Sequence, residues 1–215
     1  MGSNYSLEAA LTRISNSMRY TSNSMNGFKI DVSYSFGNQV AGVTSDIGQE
    51  GTTGATDKLG QETGIALSYA NGPLALVYAY DKQTITQGPD VSKKLNHING
   101  SYNFKVVKLV AGWNSQKQDL VSDQRSWYVG GVMPVFGKDL IKLEYTRLNN
   151  KMTASADAKL IAIGYEHPMS KRTTVYATYA KMDNDAAATK TMLGGVAVAA
   201  GFDPNAFEFG LKHSF

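Results

Sequence analysis

The stretch that decides the fold is Phe28-Lys29-Ile30-Asp31-Val32-Ser33-Tyr34-Ser35-Phe36. Every second residue is apolar, and the residues between are charged or hydroxylated. A repeat of two puts all five apolar side chains on one face of a β-strand. The same alternation runs outward through the chain. Leu74, Leu76, Tyr78 and Tyr80 share a face, as do Val107, Leu109, Ala111 and Trp113. Ile98, Gly100, Tyr102 and Phe104 oppose His97, Asn99, Ser101 and Asn103. Ile141, Leu143 and Tyr145 oppose Lys142, Glu144 and Thr146. At the end, Phe207, Phe209, Leu211, His213 and Phe215 oppose Glu208, Gly210, Lys212 and Ser214. Segments 14–20, 63–70, 127–135, 159–166 and 173–181 also read as strands, which makes eleven. In 173–181 either face could be the apolar one.

The connections carry a second pattern. Short turns are expected near 21–27, 71–73, 105–106, 137–139 and 168–172. Long loops are expected near 37–62, 82–94, 115–125, 148–156 and 182–204. Short and long alternate, so the long loops gather at one end of an up-and-down meander. Outer-membrane barrels have this asymmetry, and a Greek-key sandwich gives no reason for it. The apolar faces also lack a partner, because no amphipathic helix offers to cover them. Lipid would solvate such a face, provided every strand is paired. Aromatic residues near the expected strand ends suit interfacial girdles: Tyr20, Phe28, Phe36, Tyr80, Phe104, Trp113, Tyr128, Phe136 and Phe215. The stretch 193–202 reads as a loop packed on the barrel or as a short extra strand.

Composition agrees once it is read at a period of two. The 215 residues are 42% hydrophobic, with 21 glycines, 12 tyrosines and no cysteine. A mean hydropathy of −0.26 averages an apolar face with a polar one. No apolar run is long enough for a membrane helix. The net charge of +3 is too weak for a nucleic-acid binder. Without cysteine there is no disulfide, thiol chemistry or Cys-based metal site. His97, His167 and His213 lack the spacing of a metal site, and no G-x-S-x-G nucleophile motif occurs. No catalytic residue, metal or cofactor is expected.

The chain ends Glu208-Phe209-Gly210-Leu211-Lys212-His213-Ser214-Phe215. This resembles the C-terminal signal of Gram-negative outer-membrane proteins, with Gly210, His213 at the −3 position and the terminal Phe215 as its key residues. Arg13-Ile14-Ser15-Asn16-Ser17-Met18-Arg19-Tyr20-Thr21-Ser22 resembles the strand after the constriction loop in general porins of the Burkholderia, Comamonas and Neisseria type. Gly27-Phe28 with Tyr34-Ser35-Phe36-Gly37, Ser68-Tyr69-Ala70-Asn71-Gly72-Pro73-Leu74 and Met169-Ser170-Lys171-Arg172-Thr173 resemble later segments in the family's order.

That resemblance implies an all-β, antiparallel up-and-down transmembrane β-barrel. The eleven strands would correspond to part of a sixteen-stranded barrel, from the sixth onward. Residues 1–12 would be the remnant of the constriction loop and 13–215 the barrel portion. The isolated chain is expected to form an open curved sheet, without a stable pore of its own. The implied function is passive diffusion of ions and small hydrophilic solutes through a water-filled channel in the outer membrane. The implied partners are outer-membrane lipid, two further copies in a homotrimer, and the barrel-assembly machinery through the last strand. The residues expected to line the pore are Arg13, Arg19, Lys29, Lys108, Lys142 and Lys212, with Asp31, Glu144, Glu166 and Glu208. Six cations against four anions predict a weak anion preference, led by Arg13, Arg19 and Lys29. Small residues such as Ser33, Ser35, Ala66, Ser68, Ser101 and Gly112 on the same face favour an open channel. An adhesin or receptor acting through the long loops is the alternative. A soluble β protein with a ligand cavity is a third reading, and would extract without detergent.

Overall fold

A computed structural model of the chain describes residues 16–36, 60–84, 91–119, 121–192 and 198–215. The described residues are all-β, with eleven strands and no helix. They are β1 Ser17–Thr21, β2 Phe28–Phe36, β3 Gln61–Asn71, β4 Leu74–Thr84, β5 Ser92–Asn103 and β6 Lys108–Gln118. Then come β7 Ser122–Val135, β8 Asp139–Asn150, β9 Ala158–Pro168, β10 Thr173–Asn184 and β11 Asn205–His213. They form one sheet in sequence order. The described residues fall into two compact units. One holds Gly100–Trp113 and Arg125–Phe215, and the other Asn114–Gln124 with the described residues up to Asn99.

The expected number of strands is found, and β2 has the expected bounds. Most other strands run further than the alternation suggested. β5 starts at Ser92 because polar residues continue it beyond the apolar repeat. In place of the expected long loop at 115–125, β6 runs to Gln118 and β7 starts at Ser122. Lys117, Gln118, Asp123 and Gln124 resemble loop residues, yet they lie in β6 and β7. The alternation of short and long connections is therefore broken at this one place. The stretch 193–197 and all of 1–15, Arg13 included, lie outside the described residues.

Tight turns set the register. In the β1–β2 connection, Asn26 (φ 51°) and Gly27 (φ 88°) both have positive φ. Met25 and Phe28 exchange two backbone hydrogen bonds around them, at 2.8 and 2.9 Å. This is the geometry of a type I′ hairpin turn, which an Asn-Gly pair favours. A Cβ on Gly27 would stand 2.5 Å from the Ala70 carbonyl oxygen. Only glycine meets both demands.

Register rows then define two faces. In one row Val32 lies opposite Tyr20 and Ile65, and Ile65 lies opposite Tyr80. In another, Leu143 lies opposite Ile163, then Tyr179, then Phe207. These rows also decide β10, where the sequence left the face open. Tyr179 shares the apolar face, and Ala180, Met182 and the rest of their parity share the other. Burial is inverted relative to a soluble sheet. Along β2 the apolar Phe28, Ile30, Val32, Tyr34 and Phe36 are exposed, while Lys29, Asp31 and Ser33 are half-buried and Ser35 is buried. The ring of Trp127 packs on Tyr145, centroids 5.2 Å apart, on the apolar face. Tyr128, expected in the aromatic girdle, has the opposite parity and stands on the polar face. The strand is fixed by Trp127, so its neighbour must point away.

Candidate functional site

The polar face of β1–β4 is built around Asp31. Arg19 lies across the ladder and donates from Nη2 and Nε, at 2.9 and 3.3 Å. The Thr21 hydroxyl donates to the same carboxylate oxygen. Lys29 Nζ lies 3.9 Å from the other oxygen. Beside this group the wall is notched. Gly64, Ala66 and Ala79 carry little or no side chain, leaving a cavity of about 350 Å³ that Arg19, Asp31 and Asp81 also line. Glu62 and Gln83 lie opposite each other and are buried. Glu62 Oε2 and both Gln83 amide atoms find no hydrogen-bond partner among the described residues. In β5 and β6, His97 Nδ1 meets Asn114 Oδ1 at 2.7 Å.

The polar face of β8–β11 begins in the same way. Lys142 pairs with Glu166, the Thr146 hydroxyl donates to Glu144 at 3.3 Å, and the Tyr176 hydroxyl donates to Glu208 at 2.9 Å. Tyr176 lies opposite Gly210, and its ring occupies the space where a Cβ would be. An added Cβ would stand 2.6 to 2.9 Å from Tyr176 ring and hydroxyl atoms. Lys212 lies opposite Thr174. Lys108 is exposed at the start of β6.

Further along the same face the character changes. Leu160, Ala162, Ala180 and Met182 form a buried apolar cluster together with Met192, and the partly buried Ala206 packs against it. Met192 belongs to the β10–β11 connection, so part of that connection covers the face. Asn184 ties it down. Its Nδ2 donates to the carbonyls of Lys190 at 2.9 Å and Phe202 at 2.7 Å. Its backbone N–H donates to Asp203 Oδ1 at 2.7 Å. Burial pulls the Lys190 ammonium below its ordinary value. In the β8–β9 connection, burial pushes the Asp157 carboxyl up. Bonds from the Asn150 backbone, Asn149 and Arg147 outweigh this, so it stays below the usual carboxylate range.

Of the expected pore-lining residues, Arg13 lies outside the described residues. The other nine all belong to the polar faces. Arg19, Lys29 and Asp31 come together, and so do Lys142 and Glu166. Glu144 and Glu208 are engaged by hydroxyls, and Lys108 and Lys212 make no ion pair among the described residues. The alternation missed Glu62 and Asp81 on the same face. The signal was present: Glu62 continues the parity of Gly64 and Ala66, but β3 was expected to start one residue later. At the terminus, His213 Nδ1 meets the Thr173 hydroxyl at 3.0 Å, and its ring lies 4.9 Å from that of Phe215. Among the described residues no three acidic or histidine side chains group as metal ligands.

Comparison with known proteins bears on this arrangement. The profile of the Gram-negative porin family matches residues 1–187. The chain belongs to the Gram-negative porins. Outer membrane porin protein 32 of Delftia acidovorans is 30% identical over 94% of this chain and 57% of its own length. An outer membrane porin protein of Bordetella pertussis is 25% identical over 79% of this chain and 52% of its own length. This porin chain thus spans about half the length of these curated relatives. Among solved structures, the anion-selective porin from Comamonas acidovorans is 28% identical with a TM-score of 0.78. It is matched over 94% of this chain and 60% of its own. OmpT of Vibrio cholerae, at 15% identity, a TM-score of 0.63, and 92% and 64% coverage, shares the fold.

Proposed function

We propose that the protein forms a water-filled channel in the outer membrane through which ions and small hydrophilic solutes diffuse passively. Residues 13–215 contribute eleven of the barrel's strands. The observation that carries this reading is the inverted burial of the strands: apolar side chains are exposed along whole register rows, while charged ones gather on the opposite face. Such a surface is stable against acyl chains and costly against water. The polar face then lines the lumen, and the short turns face the periplasm. Transport of this kind involves no covalent step.

The expected lumen charges are Arg19, Lys29, Lys108, Lys142 and Lys212 with Asp31, Glu144, Glu166 and Glu208, joined by Arg13. Glu62 and Asp81 add to the anions. That makes six anions against the six named cations, so the weak anion preference rests on placement rather than on the count: Arg19 and Lys29 both stand at the single carboxylate of Asp31. The anion-selective description of the Comamonas relative supports the same direction. A homotrimer is the proposed assembly, since a solved OmpT relative is described in a trimer form. Gly210, His213 and Phe215 are proposed as the signal read by the barrel-assembly machinery.

The test is a planar-bilayer recording of the whole protein extracted from outer membranes. Discrete conductance steps and a reversal potential of anionic sign in a salt gradient are expected. Folded protein that never conducts would overturn the reading.

A further inference from the structure

The apolar face is not uniformly ridged. Across β6, β7 and β8 it sinks into a groove of about 450 Å³. Gly131 is its floor, because a position that would otherwise carry a side chain on this face carries none. The walls include Val107 just before β6, Leu109 from β6, Met133 from β7, and Ile141, Leu143 and Tyr145 from β8. From Ile141 to Tyr145 the groove runs about 13 Å, at about 3.3 Å per residue. That is close to half of the roughly 30 Å hydrocarbon thickness of a bilayer. It therefore suits one leaflet, and its Ile141 end lies toward the short turns.

Those turns carry the second observation. The β5–β6 turn at 104–107 leads into Val107 and Leu109, and it holds Lys105. The β7–β8 turn at 136–138 leads into β8, and it holds Lys138. Both lysines are exposed. The neighbouring carboxylate, Asp139, is buried and already engaged by His167 Nδ1 at 2.8 Å and by the Tyr165 hydroxyl. Lys105 comes two residues before Val107 and Lys138 three before Ile141, so both cations belong to the short turns beside the residues that line the groove, and cations there attract a negatively charged headgroup.

We propose that this groove is a binding site for an anionic phospholipid of the leaflet on the short-turn side. One acyl chain lies over Gly131, and the phosphate meets Lys105 and Lys138. The inference rests on the reading of the apolar face as lipid-facing. The occupant follows from charge and from continuity with that face: the groove opens only where acyl chains would already be, and apart from Glu144 its lining is apolar side chains, glycine and tyrosine.

The test is native mass spectrometry of the whole protein in detergent, titrated with phosphatidylglycerol and with phosphatidylcholine of the same acyl chains. Phosphatidylglycerol should be retained severalfold better. Gly131→Phe should abolish the tightest adduct of both lipids. Should that variant not fold, as judged by its heat-modifiable gel mobility, Gly131→Ala serves. Its Cβ would stand at ordinary contact distances, 3.5 Å from Leu109 and 3.7 Å from Val107, and it should weaken retention severalfold. Lys105→Gln with Lys138→Gln should equalise the two lipids. Unchanged adducts in the groove variants would overturn the site, and a persistent preference in the lysine variant would overturn the headgroup contact. Conductance recorded on the same preparations separates the two ideas. A conducting protein without the lipid effect sinks only this inference, and a folded protein that does not conduct sinks the channel.

Discussion

The walls formed by β1–β4 and by β8–β11 present the same apolar face and opposite uses of the polar one. In β1–β4 the polar face stays a polar surface: Arg19, Lys29 and Asp31 cluster beside a notch at Gly64. In β8–β11 the polar face is ionic near the short turns and then apolar and buried, where Met192 packs with Leu160 and Met182. The apolar face keeps one chemistry along both walls, whatever its relief. The polar face is under no such demand and differs between the two walls.

The difference can be broken by mutation. The largest effect is expected from Met182→Asp, since Met182 is fully buried. A charge there without a partner should cost about 3–5 kcal/mol. Ala79→Asp on β4, beside the notch, should cost less than about 1 kcal/mol. Urea unfolding of the two variants would compare them, and equal losses would erase the distinction between the walls.

The two glycine notches sharpen it next. Gly210→Ala drives a Cβ into the Tyr176 ring and should cost about 1–3 kcal/mol. Gly64→Ala meets Ser33 Oγ and Asp81 Oδ1, the ends of small side chains that can turn aside. Its loss should be the smaller of the two by thermal unfolding.

Selectivity should follow the charged wall. Arg19→Glu reverses one charge and leaves Asp31 without its closest cation. The anion-to-cation permeability ratio from the reversal potential should fall severalfold. Lys212→Glu, away from that cluster, should lower it less.

The smallest effect concerns acid. Asp157 has a depressed folded value. Its contribution is therefore complete above the unfolded carboxyl value, about 3.9, and fades as pH falls through the lower folded value. Asp157→Asn should lower stability modestly at neutral pH and flatten that acid limb, so that the variant and the parent chain converge as pH falls. A steeper acid limb in the variant would contradict the bonding described for Asp157.

Much of this was legible in the sequence, for a physical reason. A strand between lipid and water has to alternate, so β2 was bounded by its residues alone. Where a strand leaves the lipid, that pressure ends. The polar ends of β5, β6 and β7 therefore read as loops, and Glu62 and Asp81 fell just outside the expected strands. The buried cluster was the least legible. Leu160 and Met182 lie on a face where polar residues are expected, and only the register with Ala162 and Ala180 shows what they share. The β10–β11 connection that covers them has no periodicity to announce it.

The Asn26–Gly27 turn has one more consequence. Each strand pairs with its neighbours in the chain, and the register between β1 and β2 is fixed inside their own tight turn. A hairpin closed in this way is a modular unit. Gene duplication or deletion could add or remove such a unit without shifting the alignment of the strands around it. Barrels of different strand number could then arise from one another in steps of two.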